Sequence, residues 1–304
     1  RVYRCRYPSD RVHFIMLEVN AIWYSDNRKF VSWSQQSSYC LKQTKNDLYH
    51  QTKKQLSRRC AHIAGHGGVK GSIRYCQRLC NHFKYVARFD IKSYYKSMDH
   101  KVILCLLDQH DVSQTSIDIV SSYLSVPDSF DTGKGLVAGG SISPYIGAIY
   151  LTPLDKVMED CQSRHGIKYQ RFMDDFVIFA SSRHKLRKAI KQMHWVLGDL
   201  KVGLHPKKRF IGATIRGFDF LGYWLEPNKP LVPSKTSLTR FIDHSRQLYE
   251  QTADINRLRE YVERWVSWHR SGLRGLIDKR NHFQRFWLYV IETLNIIENK
   301  AHPF

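Results

Sequence analysis

The sequence has no apolar run near the roughly 18 residues that a bilayer-spanning helix requires, so no such helix is expected. Its N-terminal stretch lacks the short apolar core and small-residue cleavage site of a secretory signal. No CxxC or HExxH pair occurs, which removes the common zinc spacings. His62 and His66 lie one helical turn apart, as do Cys76 and Cys80, but neither pair has the companion a structural zinc site needs. The seven cysteines are odd in number and scattered, so no disulfide framework is expected and reduced thiols in a cytosol fit better. Acid is scarce as well: 27 Asp and Glu against 48 Lys and Arg leave a formal net charge of +21. An excess of that size points to a polyanion, with nucleic acid the first reading and an anionic membrane surface the second.

What is present is ordinary globular material. At 304 residues, 42% of them hydrophobic, the chain can bury a large core and is expected to form two packed units. Against the scarcity of acid, the adjacent pair Asp174 and Asp175 stands out. It interrupts the stretch Tyr169 to Ala180, whose flanks are rich in aromatic and β-branched residues, so the pair is predicted to sit at the turn of a hairpin. Neighbouring carboxylates repel each other and lose hydration on burial, a cost that a divalent cation reverses. An exposed turn that merely favours Asp is the competing reading. A third acid, Asp90, ends a second strand pattern, Tyr85 to Asp90. Two strands bringing acids to one point is the arrangement a two-metal site needs.

Residues 1 to about 60 carry no recognisable chemistry, though residues 12–19 read as a strand and 39–59 as a basic helix. Residues 61–75 hold four glycines, with Lys70 and Arg74 close behind. Read as a loop, that segment would let backbone amides and two cations grip a triphosphate; a flexible linker is the alternative. A helix is expected near 100–107. A second glycine-rich run, 133–140, leads to Ser143 and Pro144, which suit the N-cap and first turn of a helix continuing through 145–158. Residues 182–200 read as a helix with basic residues on one side. Lys207 and Lys208 are placed in a turn, and Gly217 to Tyr223 in a tight aromatic hairpin. Prolines at 227, 230 and 233 suggest a boundary, giving domains 1–230 and 231–304. Beyond it the pattern is helical. In 254–270, Ile255, Leu258, Val262 and Trp265 form a core stripe, and Arg257, Tyr261, Arg264 and Trp268 a cation and aromatic face suited to a nucleic-acid duplex. A solvated face with an incidental tryptophan is the competing reading.

Taken together, these motifs resemble the prokaryotic reverse transcriptases of the group II intron, retron, diversity-generating and defence-associated class, over about residues 60 to 225. Phe172-Met-Asp-Asp175 resembles their catalytic tetrad, the run from Asp90 to Tyr95 their first acidic motif, and the run from Gly139 to Pro144 their nucleotide-side loop and helix. The resemblance implies an α+β right-hand polymerase. Its fingers and palm would lie in 1–230, with an antiparallel palm sheet packed on helices, and a helical thumb in 231–304. It implies two Mg²⁺ ions at a metal set of Asp90, Ile91, Asp174 and Asp175, and a proton for the leaving pyrophosphate from Lys208. Lys70, Arg74, Ile91, Tyr95, Ala138, Gly139 and Gly140 would contact the incoming nucleotide, and Phe220, Leu221, Gly222 and Tyr223 would form the primer grip. Tyr95 stands at the steric-gate position, where its ring would exclude a ribose 2′-hydroxyl.

The resemblance therefore implies an RNA-directed DNA polymerase that takes an RNA template, a primer or cDNA strand and deoxynucleotides. No membrane partner is expected, and the location should be cytoplasmic. No endonuclease, integrase or ribonuclease H segment is recognisable, as in the stand-alone bacterial members of the class, and the resemblance to those members implies a dedicated structured noncoding RNA as template and a role in antiviral defence. An RNA-directed RNA polymerase is the nearest alternative, but it resembles a pattern with Asp in place of Tyr95 and Gly in place of Met173. A maturase-like RNA-binding protein is another, yet none of the three acids is lost. One departure stands: Ala138 occupies the place of the family's usual Gln, so that contact to the nucleotide is missing.

Overall fold

The structure, a computed structural model, describes residues 16–25, 28–126, 132–137, 139–252, 254–278, 282–294 and 296. A hairpin of β1 (Val19–Ser25) and β2 (Arg28–Trp33) comes first, then α1 (Gln35–Thr52) and α2 (Gly68–Cys80). Next are β3 (Tyr85–Ile91), a short α3 (Tyr94–Ser97), α4 (His100–Gln109), α5 (Gln114–Ser125), α6 (Ser143–Tyr150) and α7 (Thr152–His165). The expected acidic hairpin follows as β4 (Lys168–Phe172) and β5 (Asp175–Ala180), then α8 (Arg183–Asp199) and β6 (Leu204–Ala213). Three short strands, β7 (Phe218–Phe220), β8 (Tyr223–Leu225) and β9 (Val232–Pro233), lead to α9 (Lys235–Thr252), α10 (Ile255–Arg270) and α11 (His282–Leu294). Of the strand expected at 12–19, residues 12–15 lie outside the described residues, and β1 begins only at Val19.

The chain forms two compact units, one of residues 1–68 and 84–212, the other of 69–83 and 213–304. In the first, a four-stranded sheet runs in the order β4-β5-β3-β6. β5 pairs antiparallel with both β4 and β3. Phe176 to Ala180 are all buried, so β5 is covered on both faces and reads as a continuous apolar run. α7 and α8 pack against this sheet, and Leu154, Met158, Leu186, Ala189 and Met193 join its core. Ser182 caps α8 through a bond from the Lys185 amide, 3.3 Å. The helix expected over 145–158 is interrupted at Leu151, where α6 ends and α7 starts with Pro153 in its first turn.

In the second unit, the small sheet β7-β8-β9 makes its ladders within itself. α2 belongs here because its Gln77 amide donates to the carbonyls of Glu226 and Lys229, at 2.9 and 3.0 Å. Thr214 likewise donates to Phe83 O at 2.7 Å. The compact units thus divide at 212/213, with β7 to β9 in the second; Pro227 lies in a turn of that unit and Pro233 in strand β9. A separate core unites α9, α10 and α11 through Phe241, Leu258, Val262, Val266, Trp287 and Val290. The stripe of α10 is therefore Leu258, Val262, Val266 and His269, with Ile255 and Trp265 only half-buried at its edge.

Five described cysteines, at 40, 60, 76, 80 and 161, are outside any disulfide. Cys105 is disulfide-bonded, which the scattered spacing gave no reason to expect.

One buried ion pair organises the first unit. Arg171 is fully buried in β4, and its Nε and Nη2 donate to Asp155 Oδ1 and Oδ2 of α7, at 2.9 and 2.5 Å. Tyr169 adds a third bond to Asp155 Oδ1, at 2.9 Å. Replacing Arg171 by Met would strand a buried carboxylate and should cost about 3–5 kcal/mol in urea unfolding. Adding Asp155→Leu should recover most of that loss; a single-variant cost below about 1 kcal/mol would show that the pair does not organise this unit.

Candidate active site

The acidic hairpin closes through two residues, Met173 and Asp174, between the paired Phe172 and Asp175. Met173 adopts φ +57°, a left-handed conformation that costs a non-glycine residue about 1–2 kcal/mol. On the other side of β5, Asp90 of β3 lies opposite Asp175 in the antiparallel register. Side chains of directly opposed residues share one face, so the ladder gathers two of the three predicted carboxylates. The third, Asp174, is tied in by its carbonyl, which accepts from Ile91 N at 3.2 Å.

Two of the carboxylates each have a cation beside them. Arg88 precedes Asp90 by two residues, so it shares that face of β3. It reaches diagonally to Asp175, with Nε to Oδ1 at 3.0 Å and Nη2 to Oδ2 at 2.9 Å. Lys208 Nζ lies 3.6 Å from Asp90 Oδ2. Burial pushes the Asp175 carboxyl up to about 6, with Arg88 opposing the shift. Burial also raises Asp174, and the charge of Asp90 adds to the rise. Among the described residues, no group of three or more His, Cys, Asp or Glu side chains converges to hold a metal. Asp175, the third expected ligand, makes a two-bond fork with Arg88. The oxygen chemistry suits a hard divalent cation, with Asp90 and Asp174 in reach of each other's field beside an exposed ammonium.

Lys208 and Lys207 lie in strand β6, where a turn was expected; the turn-like feature is local, with both amides directed at His205 Nδ1, at 3.3 and 3.2 Å. Tyr95 follows in α3, its ring stacked on Tyr94 with centroids 5.8 Å apart. Burial and the nearby Asp174 charge raise its phenol above the usual range, so it stays neutral. Ala138 lies outside the described residues. Gly139 has φ +75°, and a Cβ at Gly140 would fall 1.7 Å from Tyr123 Oη. Ser143, expected as an N-cap, is the first helical residue of α6. Its hydroxyl donates to Val137 O at 2.6 Å, so the contact with Tyr123 Oη, at 2.7 Å, must be donated by the tyrosine.

The other predicted residues belong to the second unit. Lys70 and Arg74 are on helix α2 and not in a loop; Gly65, Gly67 and Gly68 take the positive φ values that end the loop before the helix. Lys70 Nζ donates to Tyr223 Oη and to the carbonyls of Trp268 and His269, the latter two at 2.6 and 3.2 Å. It also sits 4.2 Å over the Trp268 ring. Arg74 donates to Gly272 O. Both cations thus satisfy carbonyls at the C-terminal end of α10, where the helix dipole favours positive charge. Burial lowers the Lys70 ammonium to about 8.

The aromatic hairpin is as expected: Phe220 pairs with Tyr223 across Leu221 and Gly222, both at positive φ, as a two-residue hairpin turn requires. On α10, Arg257 and Arg264 are exposed and Trp268 is 51% exposed. Tyr261 departs from that face: it is half-buried, stacked on Phe241 at 5.8 Å, and so belongs to the core. Arg88 and Arg171 escaped the sequence reading, and His62 entered it only through its spacing from His66. Arg88 carried a usable signal, its two-residue spacing from Asp90 on a strand.

The chain matches, over residues 34–225, the family model described as Reverse transcriptase (RNA-dependent DNA polymerase). No curated protein matches it in sequence. Among solved structures it is similar to apo telomerase from Candida tropicalis, with a TM-score of 0.56 at 12% identity, over 96% of this chain and 64% of that one. The same telomerase truncated from its C-terminal domain gives 0.53 at 12%, over 72% and 55%. Its complex with a TWJ fragment of telomeric RNA gives 0.52 at 12%, over 91% and 57%. The chain therefore spans less than two thirds of these telomerase chains, and the likeness speaks for the fold, an α+β right-hand polymerase. Both acidic segments, paired on one sheet, fall inside the matched residues, and the chain belongs to the reverse transcriptase (RNA-dependent DNA polymerase) family.

Proposed function

We propose that this protein is an RNA-directed DNA polymerase, extending a primer along an RNA template by nucleotidyl transfer. The observation that carries the reading is the register that sets Asp90 opposite Asp175, with Asp174 in the adjoining turn. Asp90, Asp174 and Asp175, with Ile91, would hold two Mg²⁺ ions, and Arg88 would keep the Asp175 carboxylate in place. When bound, the metal would acidify the primer 3′-hydroxyl and offset charge on the triphosphate. Lys208, exposed beside Asp90, is free to swing toward a leaving pyrophosphate and supply a proton. Tyr95, neutral and braced by Tyr94, presents a rigid ring that would exclude a 2′-hydroxyl by clash. Arg257, Arg264 and Trp268 offer exposed charge and ring surface for a duplex.

The finer placement, a prokaryotic cytoplasmic enzyme copying its own structured noncoding RNA in antiviral defence, rests on the motif resemblance and the +21 charge. Sequencing the RNA and cDNA that co-purify with the protein tests it. One structured RNA with matching cDNA is expected, and a broad sample of cellular transcripts would sink that placement.

Asp174→Asn should abolish Mg²⁺-dependent primer extension while leaving RNA affinity nearly unchanged, since one charge of the +21 balance is altered. Persisting synthesis in that variant would overturn the assignment. Tyr95→Ala should lower the preference for deoxynucleotides over ribonucleotides, by up to about 10²-fold in relative kcat/KM; an unaltered ratio would place sugar selection elsewhere.

A further inference from the structure

The strained turn at Met173 is gripped at both of its backbone polar groups. Arg171 Nη1 donates to Met173 O at 3.0 Å. Met173 N donates to His62 Nδ1 at 3.1 Å. The second bond settles the imidazole's proton: Nδ1 is an acceptor, so Nε2 carries the hydrogen. Nε2 lies 3.1 Å from the carbonyl of Pro144 and donates to it. Pro144 is in the first turn of α6, directly after the glycine-rich segment. The ring is fixed in place by an edgewise contact with Phe172, centroids 5.8 Å apart. Burial, with the Arg171 charge adding to it, lowers His62 to about 4 and keeps it in the form these two bonds need.

We propose that His62 is a positioning residue, a two-ended imidazole bridge that sets the turn carrying Asp174 relative to the start of α6. Asp174 follows Met173 directly, so the bridge fixes the backbone on one side of that carboxylate. At its other end it anchors the helix whose approach, residues 139–144, would lie against the incoming nucleotide. This second part rests on the functional reading above. His66, one helical turn away in sequence, takes no share: its Nδ1 is 3.1 Å from Cys60 O. The spacing that first suggested a metal pair therefore serves two separate backbone contacts.

Three substitutions separate the two ends. His62→Asn keeps an acceptor where Nδ1 stands, His62→Gln keeps a donor where Nε2 stands, and His62→Phe keeps only the ring. Two measurements on the full chain read them. The first is hydrogen exchange of the Met173 amide in metal-free buffer, which needs no turnover. The second is steady-state extension of oligo(dT) on poly(rA) with dTTP and Mg²⁺. His62→Phe should speed exchange at Met173 at least tenfold and lower kcat, with a loss approaching about 10²-fold, the scale of a 1 Å misplacement. His62→Asn should leave exchange and kcat near wild type while raising KM for dTTP, and His62→Gln should do the reverse. Exchange and kcat within twofold of wild type in His62→Phe would overturn the proposal. So would identical profiles for the Asn and Gln variants, which a purely structural histidine predicts. Failure of the functional reading would show differently, as synthesis surviving Asp174→Asn, and would leave the exchange result standing.

Discussion

Gathering negative charge at the ends of the two central strands of a sheet is the constraint on which the first unit depends. Asp90 and Asp175 face each other across an antiparallel ladder whose residues Val86, Ala87, Phe89, Phe176 and Phe179 are buried. That apolar packing fixes the register, because a slip of one residue would turn every side chain to the opposite face. With the register fixed, the carboxylates have no freedom to separate, and their repulsion must be answered locally. Arg88 answers it for Asp175 and Lys208 for Asp90. The two cations differ in kind. Arg88 is mostly buried and holds a two-bond fork, whereas Lys208 is 55% exposed and loosely paired. An exposed pair of that sort contributes about 0–1 kcal/mol, so Lys208 can leave without loss to the fold.

Behind the carboxylates stands a second layer that holds backbone. Arg171 and Asp155 bond in full burial, and Arg171 then extends to Met173 O. Residues 59–61 are stitched to the same strand, through Arg171 N to Arg59 O at 2.9 Å and Ala61 N to Arg171 O at 2.8 Å. The segment carrying His62 is therefore anchored to β4 by main-chain bonds before its side chain acts. A left-handed methionine persists only where its surroundings over-determine it, and here one bond to each of its peptide groups does so.

The acidic hairpin, the strand ending near Asp90, the aromatic hairpin and the helix over 182–200 were legible because their signals are local: alternation, turn chemistry and residue spacing. What was not legible is long-range. The glycines before Lys70 suggested a loop, but Ile73, Cys76, Gln77, Leu79 and Cys80 form a buried helical face that overrides one mid-helix glycine. Lys70 and Arg74 look like anion ligands by composition, yet their hydrogen bonds go to carbonyls about two hundred residues away in sequence. Tyr261 sits on the exposed side of a helical wheel, but the ring of Phe241 on another helix draws it inward. Nothing near Arg171 announces that a charged residue there is fully buried, since its partner Asp155 is on a helix that precedes it.

Gly140 shows how such packing shapes sequence change. The space a side chain would fill there is taken by the hydroxyl of Tyr123, which serves Ser143 and through it the carbonyl of Val137. Any single step away from glycine meets that oxygen, and removing the oxygen first breaks the relay at the head of α6. Positions 123 and 140 are thus epistatic: each constrains what the other accepts. A substitution at one position therefore calls for a matched substitution at the other.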